Sequence, residues 1–319
     1  MTVAVPAPVR RVLEQGDFCH VAALTPKGPH VTPTVFATAG DRVWVTTSRG
    51  SVKARAWSAD PRVAGLVRAG ELAVCFAGTA TMYDLLDPGS WGRSLREGPL
   101  IALASARFTR KNARFFAGYA MDAHHVPFAW TPPGRVFAEL AIERSVVLDG
   151  QDLVSVWGDW GAETRGASSF RAARTGDPPL ALLPDEVSSG LGTSGAGALG
   201  LSTPEGPLVL PTRWLADGAA VYAALSEEVL ALAGATAPTT PAALQVDRAS
   251  WWRAREMVGA MVRGQGEIAV MDQLTSGTRS AEAVIAGAGI ESAGAALVRV
   301  RPERLVWWRG WSSGTVMLP

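Results

Sequence analysis

The segment LTPKGPHVTPTVFATAGDRVW, residues 24–44, recurs later in the same chain as STPEGPLVLPTRWLADGAAVY, residues 202–222, at one constant offset. The identical pairs include Thr25/Thr203, Gly28/Gly206, Pro33/Pro211 and Gly40/Gly218. Shared proline and glycine turns would resemble each other by composition alone, but composition does not keep one offset through a strand, a turn and a second strand. We therefore predict two copies of one fold.

A second pair of similar segments lies near the end of each copy. The segment ERSVVLDG, residues 143–150, matches ERLVWWRG, residues 303–310, at an offset shorter than that of the opening segments. The first copy is therefore longer than the second between its two matching segments. The extra length points to the segment 85–133, where RFTRKNARFFAGYAMDAH has helical spacing and few β-branched residues. We predict a helical insertion there.

The pattern of the first copy predicts a small barrel. Three short runs, HVAALTP, HVTPTVFAT and RVWVTTS, are joined by turn residues, as in β-hairpins. A short helix is expected from Ser51 to Ser58 and should end at Asp60, because a residue before proline avoids helical geometry. Further strands follow. Antiparallel strands with few helices predict a closed or partly closed barrel.

The predicted fold class is mainly β with helices, as two tandem split β-barrels that form an intramolecular pseudo-dimer. The first barrel is assigned to 1–160, including the insertion, and the second to 180–319. Between them, 161–179 is rich in Gly, Ala, Ser and Pro and is predicted to be a linker. Within the second barrel, RASWWRAREMVGAMVRG (248–264) is expected to be helical, and GLGTSGAGALG (190–200) is expected to be a flexible entry segment.

Composition limits the classes of function. Thirty basic and 29 acidic side chains in 319 residues give a net charge of +1, so nothing in the overall charge indicates nucleic acid or an anionic membrane as partner. Cys19 and Cys75 have no CxxC spacing, which argues against a disulfide scaffold and a zinc site. No run of about 18 apolar residues and no targeting signal is present, so we expect a cytoplasmic protein.

The segment TTSRGSVK, residues 46–53, has the features of an anion site. Ser51 is a candidate N-cap for the helix that follows, and a helix N-terminus presents free N–H groups and the positive end of the helix dipole. Arg49 and Lys53 add positive charge, and Ser48 adds a hydroxyl. The alternative is a solvated helix with incidental basic residues, and the spacing alone does not choose between them.

The repeat supplies an internal control. At the offset of the opening segments, the positions of Arg49, Ser51 and Lys53 become Glu227, Val229 and Ala231. If folding required the basic cluster, the second copy would need it as well. The comparison favours one phosphate site in the first copy and none in the second.

The run HVAALTPKGPHVTPTVFATAGDRVWVTTSRGSVKARAWSADPRVAGLV, residues 20–67, resembles the flavin-binding split-barrel family, the pyridoxamine 5′-phosphate oxidase-like proteins. The resemblance implies FMN, or alternatively the deazaflavin coenzyme, bound in a groove between two barrels. It implies phosphate contacts from Arg49, Ser51 and Lys53. It further implies that the ring or ribityl chain lies near a set of residues on two strands: Pro33, Thr34, Thr46, Thr47 and Ser48.

The second barrel would supply the opposite wall of the groove, so a tandem chain would hold one cofactor. Candidates are Trp307, Trp308, Arg309 and Trp311, because aromatic faces and a cation suit a flat ring system. Neighbouring residues of a strand point to opposite faces, so at least one of Trp307 and Trp308 is expected to pack in the core instead.

The predicted insertion carries basic residues at helical spacing, with aromatic residues on its other faces. These are Arg107, Arg110, Lys111 and Arg114, and Phe108, Phe115, Phe116 and Tyr119. A solvated basic face beside a core face is the favoured interpretation, and a lid over the groove is the alternative.

Other chemistry is sparse, and no catalytic residue is assigned. His124 and His125 have no third ligand at metal spacing, which predicts no metal site. The resulting hypothesis is a flavin-dependent oxidoreductase that acts on a small-molecule redox substrate, as one chain and possibly as a monomer. The alternatives are a non-catalytic flavin- or haem-binding protein and a barrel protein that has lost its cofactor.

Overall fold

The computed structural model describes residues 4–122, 134–160, 178–232, 239–248, 250, 253–270, 279–288, 290 and 294–318. Within these ranges the chain forms two seven-stranded antiparallel sheets, one from each half of the sequence. Six strands of each sheet close into a barrel, because the third strand of the half also pairs with the sixth. The predicted mainly β fold with two tandem barrels is confirmed.

The first barrel has the strand order β3-β2-β1-β4-β5-β6-β7, and β7 extends the barrel from β6. Its strands are β1 (Phe18–Thr25), β2 (Gly28–Ala39), β3 (Arg42–Ser48), β4 (Arg62–Ala69), β5 (Leu72–Tyr83), β6 (Arg135–Asp149) and β7 (Asp152–Trp157). Its helices are α1 (Ala7–Gln15), α2 (Val52–Ala59), α3 (Pro88–Arg96), α4 (Gly98–Lys111) and α5 (Ala113–Met121). The last three helices lie within the segment predicted to be a helical insertion.

The second barrel repeats this order as β10-β9-β8-β11-β12-β13-β14. Its strands are β8 (Ser194–Thr203), β9 (Gly206–Asp217), β10 (Ala220–Ser226), β11 (Thr239–Arg248), β12 (Val258–Val270), β13 (Ala295–Arg309) and β14 (Ser312–Met317). Its helices are α6 (Asp185–Leu191), α7 (Glu227–Leu232) and α8 (Arg279–Ala288), with 3₁₀ turns at Pro179–Leu182 and Ala254–Glu256. The bounds of β10 are those of β3 moved by the offset of the opening segments, and the bounds of β13 are those of β6 moved by the offset of the closing segments.

The two barrels also share an irregularity. The register between β5 and β6 shifts at Gly78, and the register between β12 and β13 shifts at Gly264. A Cβ on either glycine would contact a backbone carbonyl of the partner strand, that of Ala141 or that of Arg301. Each bulge therefore requires a residue without a side chain, and each bends its long strand around the barrel.

Strand β1 is buried on both faces. One face lies in the core of the first barrel, and the other packs against the second barrel. Cys19 and Val21 point into the interior of the first barrel. Ala22, on the opposite face, belongs to a cluster with Leu199 and Val262 of the second barrel. The period of two in a strand thus divides its side chains between the barrel core and the contact between barrels.

Polar contacts cross the same interface in a pseudo-symmetric way. Oδ1 of Asp247 on β11 lies 3.0 Å from Nε2 of His20 on β1. Arg68 of β4 occupies the matching position of the first barrel and donates to the carbonyl of Gly197 on β8. Arg263 of β12 donates to Oγ1 of Thr25 at 2.8 Å, at the β1–β2 turn. These contacts make the two barrels an intramolecular pseudo-dimer.

Two expectations about local structure are wrong. The segment 248–264 is not a helix: β11 ends at Arg248, β12 begins at Val258, and only Ala254–Glu256 forms a 3₁₀ turn among its described residues. The long pairing of β12 with both β11 and β13 overrides the helical spacing. The segment 190–200 is largely β8 rather than a flexible entry. Its glycines allow a close approach, since a Cβ on Gly200 would contact Val31 of the first barrel.

The insertion is not one continuous helix. It breaks at Asn112, whose side-chain amide donates to the carbonyls of Phe36 at 3.2 Å and Phe108 at 2.9 Å. Residues 161–177 of the predicted linker lie outside the described residues. Among the helices described, none combines the length and the apolar character needed to cross a membrane.

Candidate functional site

A cavity of about 420 Å³ lies between the two barrels and is referred to here as the cleft. The first barrel lines it with β2, β3, the start of α2, the start of β6 and the insertion. The second barrel lines it with the turn before β12 and with the β13–β14 hairpin. Nine of the twelve sequence-predicted site residues line it: Pro33, Thr34, Thr46, Thr47, Ser48, Ser51, Lys53, Trp308 and Trp311.

The junction between β3 and α2 has the local geometry that the sequence predicted. Ser51 is the N-cap of α2, and its Oγ accepts a 3.1 Å hydrogen bond from the backbone N–H of Ala54. Oγ1 of Thr47 lies 2.9 Å from Oγ of Ser51. The two hydroxyls therefore fix the first turn of the helix beside the cleft, with the positive end of the helix dipole nearby.

Lys53 is the cation of this junction. It lines the cleft, and no hydrogen bond or ion pair from its ammonium is seen within the described part of the chain. Burial, followed by the positive charge of Arg135, lowers the pKa of Lys53 to about 8. A bound anion would compensate both effects, because it stabilises the charged form of the lysine.

Arg135, the first residue of β6, is a cleft residue that the sequence analysis missed. It pairs in register with Ser48, and its guanidinium donates to Oγ1 of Thr46 at 2.7 Å and to the carbonyl of Thr46 at 2.8 Å. Burial lowers its pKa from the ordinary value, and Tyr119 partly offsets this. β6 pairs with β3, so the arginine at its start reaches the candidate phosphate segment although it lies far from Lys53 in the sequence.

The remaining titratable groups do not offset the positive charge of the cleft. Burial, with contributions from Lys53 and two arginines, lowers the pKa of His30 to about 3, so its imidazole is neutral at physiological pH. No carboxylate is among the described lining residues. Lys53 and Arg135 therefore place positive charge in a partly desolvated space that has no acidic side chain to neutralise it.

The second barrel contributes an aromatic wall. Trp308 lines the cleft and packs over Gly259 of β12, where a Cβ would contact its indole ring. Trp307 points to the opposite face and packs on Gly314 of β14. Trp311 lines the cleft and meets the ring of Tyr119 edge-on, with centroids 4.9 Å apart. The expectation that at least one of the two adjacent tryptophans packs in the core fits the position of Trp307.

Arg49 and Arg309, which the sequence also predicted at the site, do not line the cleft. Arg49 forms a bidentate pair with Asp84, with its Nε and Nη2 at 2.6 and 2.7 Å from the two carboxylate oxygens. Hydrogen bonds from Arg49 lower the pKa of Asp84. Arg309 pairs with Glu186 of α6. Asp84 follows β5, whose end meets the end of β3 on the shared neighbour β6, and sequence spacing alone could not reveal that.

The insertion closes one side of the cleft with its aromatic face. Phe115 and Tyr119 line the cleft, while Arg107, Arg110 and Arg114 are exposed. Lys111 donates to the carbonyl of Leu13 at 3.0 Å and lies over the ring of Phe36. The basic residues are thus largely solvated, as favoured, but the aromatic residues cover the groove.

The donor set fits a phosphate attached to a flat ring system. Hydroxyls of Thr47, Ser48 and Ser51 stand beside Lys53 at one end, and the aromatic wall forms the other side. The hydroxyl of Thr32, which also lines the cleft, is buried without a hydrogen-bond partner in the described chain. An unsatisfied buried hydroxyl at a ligand cavity is the kind of group that a ligand satisfies.

A metal centre is not seen among the described residues, which contain no cluster of three or more His, Cys, Asp or Glu side chains suited to a metal ion. His124 and His125 lie outside the described residues. Cys19 and Cys75 are both buried free thiols.

A family model described as pyridoxamine 5′-phosphate oxidase matches residues 7–84, from α1 to the end of β5. No curated protein matches the chain. Among solved structures, an FMN-binding, pyridoxamine 5′-phosphate oxidase-related protein of Nostoc punctiforme is 18% identical, covering 44% of this chain and 78% of its own, with a TM-score of 0.31.

Two further structures are similar. A heme-binding protein from Mycobacterium smegmatis is 16% identical, over 46% of this chain and 56% of its own, with a TM-score of 0.33. An F420 reductase is 19% identical, over 44% of this chain and 98% of its own, with a TM-score of 0.30. The family model covers the strands and the helix that carry most of the cleft's polar residues.

Proposed function

We infer that this chain, which belongs to the pyridoxamine 5′-phosphate oxidase-like split-barrel family through its first barrel, binds one flavin-type cofactor in the cleft. FMN is the first candidate and the deazaflavin coenzyme the second. The function that follows is an oxidoreductase acting on a small-molecule redox substrate. The observation that carries the proposal is the convergence of Lys53 and Arg135 on a cavity whose described lining has no carboxylate.

The residues of the cleft would divide the work of binding. Lys53 and the hydroxyls of Ser48 and Ser51 would hold the phosphate, assisted by the N-terminus of α2. Pro33, Thr34 and Thr46 of the first barrel would face the ribityl chain and ring. Trp308 and Trp311 of the second barrel would form the opposite wall.

A bound flavin would supply hydride or electron transfer to the redox substrate. The chain's own contribution is binding, orientation and exclusion of water. Arg135, held by Thr46, keeps a positive charge at the edge of the cleft, where it stabilises negative charge on the cofactor or substrate. Phe115 and Tyr119 limit the access of solvent from the side of the insertion.

The first experiment is an absorption spectrum of the purified chain, followed by separate titrations with FMN and with the deazaflavin coenzyme. Binding is expected at one equivalent per chain. Lys53→Ala, which copies Ala231 of the second barrel, should weaken FMN binding by about 2 kcal/mol, since a charge-assisted hydrogen bond is lost. That corresponds to roughly 30-fold in the dissociation constant.

The matched control is Arg55→Ala on the exposed side of the same helix. The guanidinium of Arg55 donates to the carbonyl of Gly50 at 2.8 Å and does not line the cleft. This variant removes the same charge from the same helix and should bind FMN as the wild type does. Equal affinities of Lys53→Ala and wild type, or two equivalents of FMN per chain, would overturn the assignment.

Turnover separates an enzyme from a binding protein. Oxidation of a reduced nicotinamide coenzyme that saturates and requires the bound flavin supports an oxidoreductase. Tight binding without turnover with any redox partner supports a flavin-binding protein instead. Haem is the alternative to a flavin-type ligand, because His30 is a neutral imidazole on the cleft wall. A Soret band that His30→Gln removes would favour haem over flavin.

A further inference from the structure

A second and larger cavity, of about 820 Å³, lies beneath the helical insertion of the first barrel. The insertion cavity, as it is named here, is bounded by α4 and α5 on one side and by the ends of β3, β5 and β6 on the other. Its volume is in the range of pockets that bind drug-sized molecules. Ser48, Ser51 and Lys53, which are proposed to hold phosphate in the cleft, are not among its described lining residues.

The lining of the insertion cavity is mainly aromatic and aliphatic. Tyr83, Phe108, Phe116 and Phe137 contribute rings, and Ile101 of α4 adds an aliphatic side chain. Phe108 meets Phe137 edge-on, with centroids 5.8 Å apart, and Phe116 at a tilt, with centroids 5.9 Å apart. Rings in such an arrangement leave both edges and faces available to an aromatic guest.

The two arginines at this cavity each have a hydrogen-bond partner. Arg49 forms an ion pair with Asp84. Arg135, which lies where the cavity adjoins the cleft, donates to the neutral Thr46 and keeps its positive charge there. The phenol of Tyr83 donates to Oε2 of Glu139 at 2.9 Å, which directs its hydroxyl away and leaves its ring as lining. No carboxylate is among the described lining residues, and Asp84 neutralises Arg49, so the described lining away from Arg135 is uncharged and suits an uncharged guest.

One polar group is left over. Oγ of Ser94, on α3, is buried without a hydrogen-bond partner within the described part of the chain, and Ser94 lines the insertion cavity. A buried hydroxyl without a partner is costly, and a ligand that offers one hydrogen-bonding atom would satisfy it. This adds a single polar feature to an otherwise apolar site.

The mouth of the insertion cavity is apolar as well. Leu85 and Leu86 line it and are 79% and 69% exposed to solvent. Exposed leucines beside a cavity of this size are unusual on a surface without a ligand or partner, because the burial of a leucine side chain is favourable. Their position at the mouth favours a guest that covers them while it is bound.

The insertion cavity adjoins the cleft. Five residues line both: Val35, Thr46, Phe115, Tyr119 and Arg135. A molecule in the insertion cavity therefore lies beside whatever occupies the cleft. Binding sites for the two partners of a transfer reaction need this proximity, since the reacting groups must approach to contact distance.

We propose that the insertion cavity is the substrate pocket and that it binds a bulky, uncharged aromatic molecule with a hydrogen-bonding group near Ser94. This assignment of substrate class rests on the proposed function, which places the redox cofactor in the adjoining cleft. The insertion, which makes the first copy longer than the second, thus forms a substrate pocket beside the cofactor site. The polar residues of the first barrel form that cofactor site.

The test uses N-phenyl-1-naphthylamine, an uncharged aromatic probe whose fluorescence increases in apolar surroundings, and the full chain. The wild type should bind it saturably. Ile101→Trp, which fills the cavity, should weaken probe binding about tenfold or more. Leu103→Trp is the matched control: Leu103 lies on the same helix, is 44% exposed and does not line the cavity, so this variant should bind like the wild type.

Ser105→Trp provides a second filling variant at an exposed position that lines the cavity, in case the first variant folds poorly. It should also lose probe binding. Equal probe affinity of the wild type and a folded filling variant would overturn the proposal, as would an equal loss in Leu103→Trp.

An FMN titration of the same variants separates this inference from the proposed function. We expect FMN affinity to be unchanged in Ser105→Trp while probe binding is lost. With both ligands bound, FMN should quench the probe, because the probe's emission overlaps the flavin's absorption and the cavities adjoin. Probe binding without any flavin binding would refute the proposed cofactor and leave an apolar pocket. Flavin binding without probe binding would refute the substrate class alone.

Discussion

The two barrels have one backbone design and opposite chemistry. Their strand orders, closing pairs and bulges coincide, yet several polar or charged positions that line the cleft in the first barrel are apolar in the second. At the two offsets of the repeat the changes are His30 to Leu208, Thr32 to Leu210, Thr47 to Leu225, Lys53 to Ala231 and Arg135 to Ala295.

These replacements fill the equivalent space of the second barrel. Leu208, Leu210 and Leu225 are each at most 2% exposed, and Ala295 is 1% exposed. Burial of each leucine stabilises the barrel by about 1.5–3 kcal/mol. The first barrel instead leaves polar and cationic groups around a cavity, and it forgoes that stabilisation. The difference makes the first barrel the candidate ligand-binding half and the second its structural support.

The contrast also separates residues required by the backbone from residues required by a ligand. Gly78 and Gly264 recur at the bulges, and Thr25 and Thr203 form the same turn, in which Oγ1 donates to the carbonyl of Gly28 or of Gly206. Features kept in both halves serve the fold. Features found only in the first half are candidates for function.

The largest effect is expected where both barrels share a requirement. Gly78→Ala and Gly264→Ala should each destabilise the chain by about 3 kcal/mol, because the new Cβ would overlap a carbonyl of the partner strand. The measurement is the urea midpoint of unfolding at an unchanged slope. The barrels are equivalent at this position, so the two losses should be similar.

Gly92→Ala is the control for these glycines. Gly92 lies in α3, and a Cβ added there would meet nothing within 4 Å. Alanine favours a helix over glycine, so this variant should be neutral or slightly more stable. A marked difference between the Gly78 and Gly264 variants would break the structural equivalence of the two halves.

Sequence reasoning succeeded where local chemistry decides. The repeat predicted two barrels, and the residues from Thr46 to Lys53 predicted a capped helix beside a cleft, because an N-cap and its helix are neighbours in sequence. Trp308 was predicted in the opposite wall because an aromatic face suits a flat ring, and it lines the cleft. The tandem fold could be predicted because each half repeats the same local signals.

Sequence-based prediction failed for contacts between strands that are far apart in the sequence. Arg135 reaches Thr46 only through the pairing of β6 with β3, and Asp84 reaches Arg49 because the ends of β5 and β3 adjoin. The residues of each contact lie far apart in the sequence, so a pattern of nearby residues could not predict either contact. The helical spacing of 248–264 misled for a similar reason, because pairing with two neighbouring strands outweighs local preference.

The next effect concerns the contact that makes the two barrels one unit. Asp247→Ala should destabilise the chain by about 2 kcal/mol, because it leaves His20 and the amide of Gln245 without their buried acceptor. The readout is again the urea midpoint. Asp152→Ala, at an exposed position at the start of β7, is the control and should change little. An unaffected midpoint in Asp247→Ala would mean that this contact contributes nothing to holding the two barrels together.

The smallest effect is the most specific to the first barrel, because it depends on a lysine that the second barrel lacks. The pKa of Lys53 is lowered to about 8 in the ligand-free chain, chiefly by burial. A bound phosphate would raise that pKa, so binding is favoured by the protonated lysine. FMN affinity should therefore be highest between about pH 6, where phosphate becomes a dianion, and pH 8. It should fall about tenfold from pH 7 to pH 9.

Lys53→Arg tests this cause directly. A guanidinium stays protonated throughout this range, so the alkaline fall in FMN affinity should disappear in the variant even if its affinity at pH 7 differs from that of the wild type. Arg135 remains in both proteins and cannot account for the difference. A wild-type affinity that is flat from pH 7 to pH 9 would show that Lys53 does not contact the bound anion. The charge contrast between the barrels would then serve the solvation of the first barrel rather than a ligand.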